Sequence, residues 1–282
     1  EPEEAWMDEG VNEWADAHVM ADLYGARTNG IDQFGFQADI VALRNALLGD
    51  PSSLPQPIAS AAYAFVDAEA YSFATYDYTM RALLTLEHEV GTAKFMAAMK
   101  AYAKAFAFKH PTGSDLFTTL SHELGEDLGW FFGPTFQQAG GAHLEIRSSS
   151  CRQAHDIRGY ITDGASKKTR TETEAPDTGT WVCDVVVQNT GPVHVPVDVE
   201  LRFTDGSTQR VHWDDKGTGT VERFSVEHST KLASVRIDPD GVDMIDSPLQ
   251  HAHRLDGEGA ASLRAGARIG SWAQTLMQLV GP

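Results

Sequence analysis

Apolar residues recur at two different spacings along this chain, and the changeover lies near residue 142. Upstream the spacing is helical. In KFMAAMKAYAKAFAF, Phe95, Met99, Tyr102 and Phe106 fall on one face and lysines on the other, which predicts an amphipathic helix. His110-Pro111 closes it, and Thr112 or Ser114 is placed to cap the next helix. DPSSLPQP, residues 50–57, reads as a loop. Trp130, Phe131, Phe132 and Phe136 in DLGWFFGPTFQQ form an aromatic cluster suited to a core, and Gly140-Gly141 ends the helical part as a linker.

Downstream the pattern alternates. Val197, Val199, Leu201 and Phe203 interleave with Asp198, Glu200 and Arg202, as in a strand with one buried face. WVCDVVVQ, TQRVHW, VERFSVEH and KLASVRI read as further strands, punctuated by the turns NTG, TDG, DDKG and DPDG. Short strands in this succession predict an antiparallel β-sandwich. SKKTRTETEAPDTG, residues 166–179, reads as a polar, mobile connection. At the end of the chain, Ile269, Trp272, Leu276 and Leu279 mark one face of a C-terminal helix, expected to dock on the domain. Its other face lacks the basic belt of an interfacial membrane helix, so whether a membrane is a partner stays open. The expected organisation is an α+β multidomain chain: a helical part over residues 1–142, a sandwich over 143–250, and a tail with a helix over 251–282.

Composition narrows the function classes. With 22 basic and 40 acidic residues the net charge is −18, which disfavours nucleic acid as a partner. No run of about 18 apolar residues predicts a membrane-spanning helix. Cys151 and Cys183 are the only cysteines. Both fall in expected strands, where they can form a bridge in an oxidising compartment or remain buried thiols.

Three ordered segments carry the chemistry. The first is WMDEGVNEW, Trp6 to Trp14; the second is ATYDYTMRALLTLEHEVG, residues 74–91; the third is FKHPTGSDLFTTLSHELGEDLGWFF, residues 108–132. The first resembles the W-x-x-E-G-F-x-x-Y/W segment of the aminopeptidase N family, the gluzincin zinc metallopeptidases of family M-one. The second resembles that family's Y-E-K-G-x-x-L-L-x-x-L-E-x-x-x-G from Tyr76 through Glu87 to Gly91 without a gap. The third resembles K-H-P-T-x-x-D-F followed by G-x-D-L-x-x-F-F. Tyr78-Thr79 replaces the family's K-G, and Val11 its Phe.

The resemblance implies a fold, ligands and a reaction. The helical part corresponds to the all-α C-terminal half of a thermolysin-like catalytic domain. Glu9 falls on the family's third zinc ligand, and Tyr76 on the tyrosine that donates its O–H to the oxyanion as the scissile carbonyl becomes tetrahedral. A catalytic zinc keeps three protein ligands and an open position for water, so Glu9 alone is not enough. The family's H-E-x-x-H, with two ligands and the general base, is absent and is expected upstream of Glu1. The chain is therefore expected to be a fragment whose partners are a peptide substrate and the missing N-terminal part, and which is inactive alone.

Two histidine-glutamate pairs are decoys. His88-Glu89 and His122-Glu123 begin like the zinc motif, but neither is followed by a histidine one helical turn later. His251 and His253 in HAH lie in a polar tail and are not expected to hold a metal. Glu13, one turn after Glu9, receives no role. Two rival readings remain: a metal-free pseudopeptidase acting as a scaffold, and a sandwich that itself binds carbohydrate or protein.

Overall fold

The computed structural model describes residues 3–25, 30–33, 36–39, 54–154, 160–163, 166–169, 179–217, 219–241 and 252–255. Helix α1, Ala5–Tyr24, buries Trp6, Gly10, Trp14 and Ala17, a stripe at three- and four-residue spacing. A short hairpin, β1 (Ile31–Gln33) with β2 (Phe36–Ala38), follows. Helix α2, Ala68–Ser72, is capped by the Asp67 carboxylate, which accepts from the Ala70 N–H. It runs into a π-helical segment, Phe73–Tyr78, and then into α3, Thr79–Val90. Gly91 adopts φ 90°, a conformation favouring glycine, and lets α4, Thr92–Phe106, start at once. Helix α4 buries Phe95, Ala98 and Met99, while Tyr102 and Phe106 of the predicted face are half-buried.

Thr112 caps α5, Gly113–Leu124. Its hydroxyl accepts from the Asp115 N–H while Asp115 accepts from the Thr112 N–H, a reciprocal capping box. The choice left open between Thr112 and Ser114 therefore falls on Thr112. Helix α6, Gly129–Gln137, buries Phe131, Phe132 and Phe136, with Trp130 half-buried beside them. Trp6 stands 4.7 Å from the Phe136 ring and 5.4 Å from Phe117. Where Trp6 lies over Gly113, a Cβ on that glycine would come 2.5 Å from the indole. The Glu4 carboxylate, 3.1 Å from the Gly113 N–H, closes the contact by sitting at the positive end of α5. Glu4 and Trp6 thus fix α1 against α5.

Two antiparallel sheets follow. One has the order β3 (Leu144–Gln153), β6 (Trp181–Asn189), β9 (Val221–His228); the other runs β11 (Ala252–Arg254), β10 (Leu232–Ile237), β7 (Val197–Phe203), β8 (Thr208–Trp213). The alternation holds residue by residue in β7, where Val197, Val199, Leu201 and Phe203 are buried. Cys183, Val185 and Val187 of β6 join them in one core continuous with the helical part. Cys151 and Cys183 are register partners on β3 and β6 and form a disulfide, which settles the question of bridge or free thiols. The Leu232 N–H, 3.2 Å from Cys151 Sγ, ties the second sheet to the bridge.

Two expectations change. Ser166–Thr169, read as part of a mobile loop, form β5 and pair with β4, Tyr160–Asp163. Ala252–Arg254, placed in a polar tail, form β11 on the edge of the four-stranded sheet. Both strands are short and polar, so neither has the apolar alternation that reveals a strand. The predicted C-terminal helix, Ile269 to Leu279, lies outside the described residues, as does His251.

The helices and sheets are joined tightly at the glycine linker. A Cβ on Gly191 would lie 2.1 Å from the Gly141 carbonyl oxygen, so the two backbones touch. Asn189 accepts from the His143 and Gly191 N–H groups and donates to the Val193 carbonyl and the buried Asp215. Asp215 also holds His194 Nδ1 at 2.8 Å. Each polar group buried here has a partner, as burial requires.

Candidate active site

Helix α1 and the π-helical segment cross at Gly10. A Cβ there would lie 2.3 Å from Thr79 Cβ and 2.4 Å from the Thr75 carbonyl oxygen, so only hydrogen fits. Thr79 Oγ1 donates to the Ala74 carbonyl five residues back, and Thr75 Oγ1 to the Tyr71 carbonyl, satisfying acceptors along this segment. This close crossing brings Glu9, the neighbour of Gly10, to Tyr76. The Tyr76 phenol hydrogen-bonds Glu9; that bond, then burial and the carboxylate charge, push its pKa up to about 12. Glu13 adds a smaller repulsion in the same direction, so it contributes to the field although no contact role was expected. The two residues singled out from separate segments are therefore neighbours.

A second phenol shares the carboxylate. Tyr71 donates its O–H to Glu9 Oε1 at 3.4 Å, and its ring meets Tyr76 edge-on at 6.3 Å. Burial and then the Glu9 charge raise its pKa as well. In a regular α-helix residues five apart point to different sides; the wider π turn returns both tyrosines to one side. Sequence reasoning missed Tyr71 because its spacing from Tyr76 matches no α-helical face.

Behind Glu9 the helix is anchored by a buried polar group. Trp14 Nε1 donates to Glu87 Oε2 at 2.9 Å, and His18 Nε2 meets the same oxygen at 2.8 Å. Glu87 is 4% exposed. Burial opposes its ionisation, but hydrogen bonds from His18 and Trp14 outweigh it and lower its pKa. The bond to Glu87 raises the pKa of His18, against the effect of burial. Glu87 is the glutamate of the second segment, and its place here is to hold α1 through Trp14. The replacements Tyr78 and Thr79 are fully buried: Tyr78 stacks on Phe73 and Thr79 receives Gly10.

A half-buried carboxylate beside two phenols fits one ligand of a zinc centre, a hard oxygen donor with its outer contacts in place. Among the described residues Glu9 belongs to no group of three His, Cys, Asp or Glu donors close enough to share an ion. His122, one of the decoys, is solvent-exposed beside Glu123. Glu89, from the other, faces His212 and Asp214 across the junction. Lys216 lies 3.9 Å from Glu89 and 3.5 Å from Asp214, so an ammonium already occupies the space between these acids. His253 bonds Ser149.

Residues 2–134 match the model of the Peptidase family M1 domain. This segment is similar to the peptidase family M1 domain. The match spans Glu9, Gly10, Tyr71, Tyr76 and Glu87, so the crossing just described lies inside the matched segment. Among solved structures, the chain resembles the crystal structure of Legionella pneumophila aminopeptidase A in complex with aspartic acid, with TM-score 0.53 and 15% identity. The likeness covers 83% of this chain, sheets included, but 23% of that protein, and is one of fold. No curated protein sequence matches the chain. Among the described residues no helix is long and apolar enough to cross a membrane.

Proposed function

We propose that this chain supplies the carboxylate ligand and the oxyanion donor of a zinc-dependent aminopeptidase. The observation that carries the proposal is the meeting of Glu9 and Tyr76 at the Gly10 crossing, within the matched segment. Glu9 would hold the metal as one of three protein ligands; when bound, zinc supplies Lewis acidity and lowers the pKa of a coordinated water. Tyr76 stays protonated throughout the neutral range because its pKa is pushed up to about 12. It is therefore a donor, and its O–H, held by Glu9 here, is available to an oxyanion developing on a scissile carbonyl. Tyr71 and Glu87 position these groups, the first by sharing Glu9 and the second by fixing α1. The other two ligands and the general base would come from an H-E-x-x-H segment that residues 1–282 do not contain.

The test is zinc content and hydrolysis of aminoacyl-anilides by the protein extended to include such a segment. Expected are about one zinc per chain, its loss in Glu9→Gln, and a fall in kcat of roughly 100-fold or more in Tyr76→Phe with retained zinc. A folded, extended protein without zinc would sink this reading and leave a scaffold. Residues 1–282 alone are expected to bind no stoichiometric zinc and to hydrolyse nothing; tight zinc binding abolished by Glu9→Ala would contradict that.

A further inference from the structure

On the outer face of the four-stranded sheet, β7, β10 and β11 present a run of arginines. Arg202 pairs in register with Ser234, and Ser234 with Arg254, so the three form one row across the sheet. One step along, Arg236 pairs with Glu200 on one side and Ala252 on the other. The opposite face carries Leu201, Val235 and Ile237 into the core, so these outward side chains are solvent-facing by register. The short residues Ser234 and Ala252 leave a trough between the longer ones, an open groove of about 620 Å³ lined by Arg202, Arg236 and Arg254.

Charge makes the groove unusual. The chain has 40 acidic residues for 22 basic ones. On the sheets Arg210 is paired with Asp240 at 2.6 Å and Arg223 with Asp184 at 3.1 Å. Arg202, Arg236 and Arg254 are exposed, and none forms an ion pair with a described carboxylate. Among the described residues Glu200 is the only acid lining the groove. Three guanidinium groups without an ion pair among the described residues, set in a trough, are complementary to carboxylates, which they can bind in bidentate fashion.

We propose that this groove docks an acidic polypeptide segment in extended conformation, independently of the peptidase reading. Consecutive outward positions on a strand are about 6.8 Å apart, the spacing of alternate side chains in an extended peptide. A segment lying along β10 with acids at alternate positions would meet Arg202 and Arg254 with one carboxylate and Arg236 with the next. The trough is too long and open for one small anion.

The test is fluorescence anisotropy of labelled hexaglutamate on the intact chain, with hexaglutamine and a sulfated hexasaccharide as comparisons. Expected is saturable binding of hexaglutamate, none of hexaglutamine, and affinity lower by about 10-fold or more in Arg202→Gln, Arg236→Gln and Arg254→Gln. Ser234→Asp, which puts a carboxylate on the floor, should abolish binding while circular dichroism stays unchanged. Arg223→Gln, already paired outside the groove, should have no effect. Equal loss in Arg223→Gln, absence of hexaglutamate binding by folded protein, or binding of the sulfated sugar in its place would each overturn the proposal.

Discussion

Gly10 and Thr79 touch with no room for a methyl group between them: a Cβ on Gly10 would stand 2.3 Å from Thr79 Cβ. The sign of a substitution there is diagnostic. In an exposed helix interior Gly→Ala stabilises by up to about 1 kcal/mol, because alanine is the better helix former. At this crossing the overlap must push α1 off the π-helical segment, and overpacking of this kind costs about 1–3 kcal/mol. Gly10→Ala is therefore expected to lower the denaturation midpoint in urea. A midpoint that rises would show that the helices do not cross so closely.

The Glu9–Tyr76 bond has its own optical signature. Both tyrosines are held protonated with help from Glu9, Tyr76 to about 12, with its hydrogen bond to Glu9 the largest cause. In Glu9→Gln the negative charge disappears, so the upper phenol titration followed by ultraviolet difference absorbance should move toward 10. Tyr76→Phe should remove that upper component from the wild-type curve. An unchanged titration in Glu9→Gln would mean that the carboxylate and the phenol do not meet.

Much of this arrangement was legible in the sequence, for reasons that differ by element. VDVELRF forms β7 over Val197–Phe203 because two-residue alternation is a direct image of burial on one face. Glu9 and Tyr76 were legible through ordered segments, whereas the need for Gly10 shows only at the crossing with Thr75 and Thr79. Tyr71 was hidden because the π turn that aligns it with Tyr76 follows no 3.6-residue period. The pairings of Ser166–Thr169 and Ala252–Arg254 were hidden as well, since short polar strands are set by backbone hydrogen bonds rather than by an apolar face. The arginine groove is a property of register: Arg202 and Arg254 are 52 positions apart and become neighbours only through Ser234 (254 − 202 = 52).

Anchoring of α1 by Glu87 should give a stability that depends on pH from both sides. The Glu87 pKa is lowered in the fold, so its contribution is present above the ordinary value of 4.5 and fades as pH falls through the folded value. The His18 pKa is raised above 6.5, so its contribution is complete below 6.5 and is lost as pH rises through the folded value. Between these limits the pair is fully formed. His18→Gln should flatten the alkaline side of a plot of Tm against pH and leave the acid side in place. Equal slopes in both proteins between pH 6.5 and 8 would remove His18 from the account.

The Cys151–Cys183 bridge joins strands 32 residues apart and supplies a sulfur that accepts the Leu232 N–H from the second sheet. Closing a loop of this size in the unfolded chain corresponds to about 3–4 kcal/mol of stabilisation in the chain-entropy model. Reduction should therefore lower the urea midpoint without lowering stability through the helical core, where Trp6, Phe117 and Phe136 pack independently of the bridge. Cys151→Ala with Cys183→Ala separates the two effects, since it removes the covalent link and the acceptor together. Reduced wild type keeps Cys151 Sγ near Leu232, so it should be the more stable of the two by about 1 kcal/mol or less, the scale of a weak hydrogen bond. A double variant as stable as the oxidised protein would mean that the bridge contributes nothing to the sheets.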